Sequence, residues 1–283
     1  MPQLLEILNS AGEYLQKKGS PSPRLDAEVL LADILGMQRI DLYAKFDRPL
    51  DQKELALYRK AIAKRANMEP VAYIIGRKEF YSREFTVTPD VLIPRPDTEV
   101  IVEKVISYAK SFGIESPEIL DLCTGSGAIA ITLKLEIPSS QVTATEISEK
   151  ALEIARKNAA KLGADVSFVQ GDLYAGIDKQ FDIIVSNPPY IKSQDIEKLE
   201  VNVSAYEPRM ALDGGQDGLD FYRRIISESG KYLKRAGAVF LEIGDDQAGQ
   251  VASLAEKEKI FAPAMVIKDL AGRNRGVYLK RVK

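Results

Sequence analysis

The sequence predicts an α/β fold, in which a mostly parallel sheet follows a small all-helical segment, and two observations lead to this prediction. Up to about residue 75, apolar residues recur at helical spacing. From residue 117 onward, short apolar runs alternate with amphipathic segments, a pattern typical of a parallel sheet with helices on both faces. Strand character between Gly76 and Ile93 predicts a hairpin. We therefore expect a helical domain over residues 1–75, a hairpin linker over 76–95 and a sheet domain over 96–283.

Three helices are predicted in the first domain. The first runs over residues 4–15, and Pro23 suits the opening turn of the second, which ends at Gly36. Asp51 and Glu54 resemble a capping pair ahead of the third. The charges of this segment are typical of a solvated surface. A small bundle ahead of a sheet domain is the expected place for partner recognition.

The linker begins with the predicted hairpin, in which Pro89 and Asp90 indicate a turn. The stretch IPRPDTE, residues 93–99, is stiff and opens a helix. Two prolines hold Arg95 at a fixed place, which favours a functional role. A helix start with a capping Asp or Thr and a merely exposed Arg95 explains the pattern equally well.

The sheet domain is predicted to contain strands separated mainly by helices. The predicted strands are 119–122, 141–145, 166–169, 181–185, 238–243, 264–267 and 276–279. The fourth strand leads into SNPPY, where Pro188 and Pro189 cannot continue a ladder. Because ligands bind at the carboxyl ends of strands in an open parallel sheet, Asn187 and Tyr190 indicate a substrate site. A tight turn with a capping Asn and a partly buried Tyr would give the same pattern.

A glycine turn, DLCTGSG over residues 121–127, follows the first strand of this sheet. Gly125 and Gly127 lack a Cβ and let the backbone approach a ligand. Glu146 lies about twenty residues further on, in the place of a ribose-binding carboxylate, although the GxGxxG spacing of NAD folds is missing. No Walker lysine follows the turn, so ATP is not matched either. Asp121 would repel a pyrophosphate and suits a cationic ligand.

S-adenosylmethionine is such a ligand, because it joins a sulfonium and an amino acid to a ribose diol and an adenine. Glu146 can accept from the ribose hydroxyls, and Asp172 with Leu173 can flank the adenine. The ordered set of these groups at successive strand ends predicts a site for this cofactor. The expected cofactor-binding residues are Asp121, Cys123, Thr124, Gly125, Ser126, Gly127, Glu146, Asp172, Leu173 and Asn187.

Composition excludes several other chemistries. The net charge of −2 argues against general nucleic-acid binding. The chain has no histidine and a single cysteine, Cys123, which removes histidine bases, most zinc sites and intramolecular disulfides. We expect no metal. Without a bilayer-length apolar run or a secretion-signal layout, we expect a cytoplasmic protein that does not bind membranes.

Taken together, these stretches resemble the peptide chain release factor glutamine N5-methyltransferase family. VLIPRPDTE over 91–99 and EPRMALDGGQDGLDFYR over 207–223 carry the resemblance more specifically than the glycine turn, and the helical domain, SNPPYI and LEIG also match. The chain has Cys123 where the family commonly has Gly, and Glu146 where it commonly has Asp. Neither departure changes the assignment, although cofactor affinity could differ.

The resemblance implies a Rossmann-like class I methyltransferase sheet with an antiparallel last strand. It implies methylation of the GGQ glutamine of class I release factors from S-adenosylmethionine, with S-adenosylhomocysteine as product, in translation termination. It also implies that Arg95 and Glu99 line the cofactor pocket. We expect a monomer. The chain itself contains GGQ at residues 214–216, which we interpret as part of a loop.

The motif SNPPY also suggests a mechanism. We expect Asn187, Pro188, Pro189 and Tyr190 to bind the substrate glutamine. The side-chain oxygen of Asn187 and the carbonyl of Pro188 would accept its two N–H bonds, and Tyr190 would pack against the amide plane, so that Asn187, Pro188 and Tyr190 are catalytic. Methylation of a ribosomal-protein glutamine or of an exocyclic base amine in nucleic acid remains an alternative, as does a sensor that binds S-adenosylmethionine without catalysis.

Overall fold

The computed structural model describes residues 3–283, and the chain divides into two compact units. The first comprises the described residues up to Arg77 together with Glu200–Tyr206, and the second comprises Lys78–Leu199 and Glu207–Lys283. Met1 and Pro2, which the predicted helical domain includes, lie outside the described residues.

The predicted helices and sheet strands appear in the predicted order, and the short helices Arg39–Ala44, Val71–Ile75 and Val201–Ser204 were not predicted. The helices are α1 (Leu4–Lys17), α2 (Pro23–Leu35), α3 (Arg39–Ala44), α4 (Gln52–Ala66), α5 (Val71–Ile75), α6 (Glu99–Ser111), α7 (Ala128–Glu136), α8 (Glu149–Leu162), α9 (Val201–Ser204), α10 (Asp220–Tyr232) and α11 (Ala248–Glu258). The strands are β1 (Arg77–Phe80), β2 (Arg83–Thr86), β3 (Glu118–Leu122), β4 (Gln141–Glu146), β5 (Val166–Gln170), β6 (Phe181–Ser186), β7 (Leu233–Glu242), β8 (Met265–Lys268) and β9 (Asn274–Lys280).

The first unit is a bundle whose apolar helix faces meet in one core. Leu4, Leu8 and Leu15 of α1 are almost completely buried in it, as the helical spacing predicts. The expected capping pair of α4 is confirmed, because the Asp51 carboxylate accepts from the Glu54 N–H at 2.8 Å and Glu54 accepts from the Asp51 N–H at 2.9 Å. Such reciprocal bonds satisfy two amides that the first turn leaves open.

Seven strands of the second unit form one sheet in the order β5-β4-β3-β6-β7-β9-β8. The neighbours from β5 to β7 pair in parallel, whereas β9 is antiparallel to both β7 and β8. The predicted fold class, including the antiparallel last strand, is confirmed. The chain leaves β3 in one direction to β4 and β5 and then crosses to β6 on its other side. The carboxyl ends of β3 and β6 therefore form a switch point, where open α/β sheets bind ligands.

The hairpin is shorter than the sequence indicates. Its turn lies at Tyr81 and Ser82, whose φ angles are +51° and +58°. Two successive positive φ values give the twist that a two-residue hairpin needs, but these residue types do not signal it. The expected turn at Pro89 and Asp90 is present, although it follows β2 rather than closing the hairpin.

The prediction of strand character as far as Ile93 was wrong. The residues from Val87 to Ile93 belong to no strand, although Val87, Val91 and Ile93 are buried. Burial in a loop produces the same apolar alternation as burial in a strand, so the pattern could not separate the two.

The helices were also compared with the length and apolar character of a membrane-spanning helix. Across residues 3–283, none of them combines the length and the apolar character needed to cross a bilayer.

Candidate functional site

The carboxyl end of β3 carries a fully buried acid beneath the glycine turn. Asp121 Oδ2 accepts from the Thr124 hydroxyl at 2.6 Å and from the Ala130 N–H at 3.2 Å. Its Oδ1 is also buried, and it has no hydrogen-bond partner among the described residues. Burial raises the pKa of Asp121 from 3.8 to about 7. Asp121 therefore anchors the turn, and its second oxygen stays buried and unpaired beneath it.

The two glycines of the turn serve different purposes. At Gly125, with φ of +55°, no atom lies within 4 Å of the place a Cβ would take, so the backbone stays open to a ligand. At Gly127, a Cβ would lie 2.8 Å from Ile131 Cδ1 and 3.2 Å from Ala155 Cβ. Gly127 is therefore required by the packing of the turn against α7 and α8.

Cys123 occupies a left-handed position in the same turn, with φ of +60°. Burial and the neighbouring carboxylates of Glu146 and Asp121 raise the pKa of its thiol. The thiol therefore stays protonated, and protonated thiols are poor nucleophiles.

Glu146, at the end of β4, reaches across to the glycine turn. Its Oε2 accepts from the Gly125 N–H at 3.0 Å, and its Oε1 accepts from the Ser148 N–H at 3.1 Å. The longer stem of Glu thus still places a carboxylate beside Gly125, as the sequence predicts for this strand end.

A cavity of about 180 Å³ lies at this edge of the sheet. Its walls combine predicted site residues with apolar groups. They are Pro89, Asp90, Val91, Leu92, Cys123, Gly125, Glu146, Ile147, Ser148, Ala151, Asn187, Pro189, Pro208, Met210, Ala211 and Phe221. A second cavity of about 50 Å³ shares Leu92, Cys123 and Asn187 with it and is also lined by Arg95, Thr124 and Ser126.

The two residues after β5 that the sequence predicts to bind the cofactor, Asp172 and Leu173, do not line the cavities. Asp172 forms an ion pair with Arg224 at 2.8 Å, and Leu173 is 4% exposed and packs in the core beside α10. Neither residue lines the two cavities. Phe221 of α10 supplies an aromatic wall that the sequence analysis missed, although it lies in the specific stretch over residues 207–223.

Arg95 and Glu99 hold loops in place. The guanidinium of Arg95 forms an ion pair with Glu207, whose side chain is only 1% exposed, and Glu207 Oε2 also accepts from the Ile93 N–H at 3.3 Å. Glu99 accepts from the Tyr81 N–H at 2.8 Å, at the turn of the hairpin, and lines neither cavity. Glu207, absent from the predicted site, thus joins two loops that flank the larger cavity.

At the end of β6, Asn187 presents its amide to the cavities. Its Nδ2 donates to the Thr98 hydroxyl at 3.4 Å, so the oxygen end of the amide points away from Thr98. Within the part of the chain that the structure describes, no hydrogen bond uses Asn187 Oδ1 or the carbonyl of Pro188. Two acceptors from adjacent residues are therefore unpaired at the switch point, and of these two residues Asn187 lines both cavities.

The other residues of the SNPPY motif pack against neighbouring parts of the chain. Pro188 and Pro189 are buried, and the Gln247 side chain donates to the Tyr190 carbonyl at 2.9 Å. A Cβ at Gly214 would lie 2.8 Å from Tyr190 Cα, which explains a glycine there. The Tyr190 hydroxyl lies 3.5 Å from Glu242 Oε1, and burial raises the pKa of this hydroxyl. Its neighbours therefore hold the loop in one conformation.

Within residues 3–283, no group of three or more Cys, Asp or Glu side chains is placed so that it could hold a metal ion.

Comparison with known proteins gives the chain's family. Residues 6–76 match the family model of the PrmC N-terminal domain, and residues 98–204 match that of the methyltransferase small domain. The chain is 43% identical to the release factor glutamine methyltransferase of Geobacter sulfurreducens, over 96% of this chain and 94% of that one. It is 41% identical to that of Bacillus subtilis, over 98% and 97%. A crystal structure of a methyltransferase from Pyrococcus furiosus shares the fold, with a TM-score of 0.54, 21% identity, and coverage of 82% of this chain and 98% of that one.

The sheet order shows the fold, and the match to the methyltransferase small domain together with the curated relatives shows that the chain is a methyltransferase. More narrowly, the chain belongs to the release factor glutamine methyltransferase family.

Proposed function

We propose that this chain transfers the methyl group of S-adenosylmethionine to the side-chain amide nitrogen of the glutamine in the GGQ motif of a class I release factor. It would do so in translation termination, and therefore in the cytoplasm. Membership of the family supports the reaction and the substrate class. The observation that carries the proposal is the pair of free acceptors, Asn187 Oδ1 and the Pro188 carbonyl, at the switch point of the sheet.

The residues at the ends of β3 and β4 fit the cofactor. Asp121 offers a buried oxygen without a partner to a cationic or amine-bearing ligand, and Gly125 leaves open space beside it. Glu146 supplies a carboxylate for ribose hydroxyls, and Ile147 and Phe221 supply apolar walls. When bound, S-adenosylmethionine supplies an electrophilic methyl group. Cys123, Thr124 and Ser126 would complete the binding turn.

Asn187 and Pro188 would position the substrate. A glutamine side chain ends in an NH2 with two N–H donors, and two acceptors from adjacent residues can bind both donors at once. Since the lone pair of an amide nitrogen is delocalised, transfer to it depends on position and on stabilising the developing positive charge. Two carbonyl oxygens provide that stabilisation. The proton on the methylated nitrogen can leave to water, so this chain needs no histidine.

Tyr190 and Pro189 would shape the site around the substrate amide. The Tyr190 ring would pack against the amide plane, and an aromatic face tolerates the positive charge of the methyl donor. Pro189 lines the larger cavity and stiffens the loop. The helical domain over residues 1–75 would recognise the release factor, with residues 76–95 as linker and 96–283 as the methyltransferase domain.

The decisive experiment is transfer of labelled methyl from S-adenosylmethionine to a purified release factor. The matched control is the same factor with Gln→Ala in its GGQ motif. We expect label on the first protein only. Label on neither, but on a ribosomal protein or a nucleic acid, would retain the reaction class and overturn the substrate. Absence of label from every acceptor, with the cofactor still bound, would indicate a sensor.

A further inference from the structure

The side chain of Gln247 binds the SNPPY loop, although Gln247 lines neither cavity of the candidate site. Gln247 directly precedes α11, and 2% of the residue is exposed. Its Nε2 donates to the carbonyl of Tyr190 at 2.9 Å and to the carbonyl of Gly218 at 3.2 Å. Its Oε1 accepts from the Gly244 N–H at 2.9 Å. One buried side chain therefore joins three loops, which follow β6, precede α10 and follow β7.

The surroundings of this amide favour one of its two orientations. A glutamine amide has two N–H donors at one end and a carbonyl acceptor at the other. Two backbone carbonyls face one end, whereas the Gly244 N–H and, at 3.4 Å, the Tyr222 hydroxyl face the other. Turning the amide over would place its oxygen against the two carbonyls and leave buried groups without partners, which is unfavourable. The Tyr190 carbonyl is therefore bound to a donor that cannot turn away from it.

The loop that supplies the second carbonyl lies closely along the SNPPY loop. The Ile191 N–H donates to the Leu212 carbonyl at 2.9 Å, and the Gly214 N–H donates to the Ile191 carbonyl at 2.8 Å. A Cβ at Gly218 would lie 2.5 Å from the Tyr190 carbonyl oxygen, so a larger residue there would displace one of the two loops. This close approach lets the carbonyls of both loops reach the same amide group.

The backbone of residues 188–190 has few other restraints. Within the part of the chain that the structure describes, the bond from Gln247 to the Tyr190 carbonyl is the only hydrogen bond that this stretch of backbone makes. Pro188 and Pro189 have no N–H to donate. The Tyr190 side chain adds little, because its hydroxyl lies 3.5 Å from Glu242 Oε1, at the outer limit for a hydrogen bond. The position of Tyr190 therefore depends on Gln247.

We infer that Gln247 is a positioning residue, which fixes the backbone of Tyr190 and thereby the place of its ring beside the proposed substrate amide. Gln247 acts through Tyr190 and not on the cofactor, because none of its hydrogen bonds involves the glycine turn over residues 121–127. This inference rests on the proposed function for its catalytic consequence, whereas the placement of Tyr190 is a property of this chain alone.

The test removes the amide and keeps the volume of the side chain. Gln247→Met retains a flexible side chain of similar length that has no N–H donor. Gln250→Met is the matched control, because Gln250 lies in α11 and is exposed. The first readout is the NMR spectrum of protein with 13C-labelled tyrosine rings, in which the Tyr190 signals are assigned by their loss in Tyr190→Phe. We expect these signals to move in Gln247→Met and to keep their wild-type positions in Gln250→Met.

The second readout separates kcat from the affinity for S-adenosylmethionine, which calorimetry measures. We expect kcat with the release factor to fall by about 10–100-fold in Gln247→Met, because misplacing a group at the reacting centre slows the chemical step. Cofactor affinity should stay within about twofold of wild type, since Gln247 lines neither cavity. A general loss of stability would instead reduce the fraction of protein that binds the cofactor. Gln250→Met should keep every wild-type value.

If circular dichroism shows that Gln247→Met does not fold, Gln247→Glu takes its place. Its carboxylate keeps an acceptor for the Gly244 N–H and has no hydrogen for the carbonyls of Tyr190 and Gly218. Tyr190 signals that do not move, a wild-type kcat, or an equal loss of kcat in Gln250→Met would overturn the inference. If the wild-type enzyme transfers no label to a release factor, the proposed function fails. The tyrosine spectra would still decide whether Gln247 positions Tyr190, because they need no substrate.

Discussion

The residues of the candidate site offer oriented hydrogen-bond acceptors and buried acids rather than groups that exchange protons. The proposed acceptors for the substrate are the Asn187 amide oxygen and the Pro188 carbonyl, and neither changes protonation state near neutral pH. The two acids behind them, Asp121 and Glu242, are buried, and burial raises the pKa of each to about 7. A protein without histidine can therefore catalyse this transfer, because placement of acceptors replaces proton abstraction.

The first prediction concerns Asn187. Asn187→Ala should lower the single-turnover rate by about 100–1,000-fold, since it removes an acceptor that stabilises charge in the transition state. Affinity for S-adenosylmethionine, measured by calorimetry, should change little. Gln216→Ala is the matched control, because this exposed amide belongs to the chain's own GGQ loop. Full activity in Asn187→Ala, or loss of it in Gln216→Ala, would contradict the assignment.

A pair of substitutions distinguishes packing from hydrogen bonding at Tyr190. The hydroxyl lies 3.5 Å from Glu242, at the outer limit for a hydrogen bond, so Tyr190→Phe should lower kcat by less than about tenfold. Tyr190→Ala removes the ring that is proposed to pack against the substrate amide and should lower kcat by much more. Steady-state kinetics with the release factor provides the measurement, and equal effects of both substitutions would refute a packing role.

The pH dependence of stability tests the burial of Asp121. Its pKa rises from 3.8 in the unfolded chain to about 7 in the folded one. Between these values the folded state holds a proton that the unfolded state has lost, so the free energy of unfolding falls as pH rises from about 4 to about 7. The loss amounts to about 1.4 kcal/mol for each unit of pKa shift.

Asp121→Asn removes this loss and keeps an acceptor for Thr124 and Ala130. Denaturant unfolding at pH 5 and pH 8 should therefore show a smaller difference in the variant than in the wild type. Asp165→Asn, at an exposed carboxylate, should leave the wild-type difference unchanged. A wild-type stability that does not fall over this range would argue against a protonated Asp121.

Among the larger elements, two loops flanking the cavity depend on one ion pair. Glu207 binds both Arg95 and the Ile93 N–H, and the neighbouring Leu92, Pro208 and Met210 line the cavity. A carboxylate with a 1% exposed side chain cannot find another partner without rearrangement. The two loops are therefore expected to keep their places only as a pair.

Glu207→Gln should weaken binding of S-adenosylmethionine by about tenfold, because it removes the charge from a largely buried ion pair. Calorimetry measures the effect. Arg209→Gln is the control, since it breaks a neighbouring but exposed ion pair, Arg209 with Asp213 at 3.3 Å, and exposed pairs contribute little. Equal losses in both variants would show that the loop, and not the pair, matters.

On the scale of the whole molecule, the helical unit is proposed to recognise the release factor. Ile40 and Phe46, on either side of the end of α3, are 68% and 52% exposed. Exposed large apolar side chains near each other in the sequence offer a candidate protein-binding surface.

Phe46→Ser should therefore raise KM for an intact release factor by about tenfold while leaving KM for a short GGQ peptide unchanged. The comparison of the two substrates separates docking from chemistry. Leu270→Ser, at a fully exposed apolar residue of the sheet unit, is the matched control and should change neither value. An equal effect on peptide and intact factor would place recognition elsewhere.

Much of the fold follows from local pattern. The strand positions, the capping pair of α4 and the turn after β3 are confirmed, because periodicity, Pro and Gly act on the backbone within a few residues. The hairpin turn at Tyr81 and Ser82 could not be predicted, since surrounding structure holds these residues at positive φ against their own preference.

Some features of the site could likewise be predicted from the sequence, and others could not. The sequence by itself determined which polar groups end the strands, and thus that Gly125, Glu146 and Asn187 share one edge of the sheet. Only the tertiary structure decided that Asp172 pairs with Arg224 and that Glu207 binds both Arg95 and the Ile93 N–H. The physical reason is that strand ends are set by short-range backbone chemistry. The partner of a buried side chain is instead set by strand order and register, which join residues far apart in the chain.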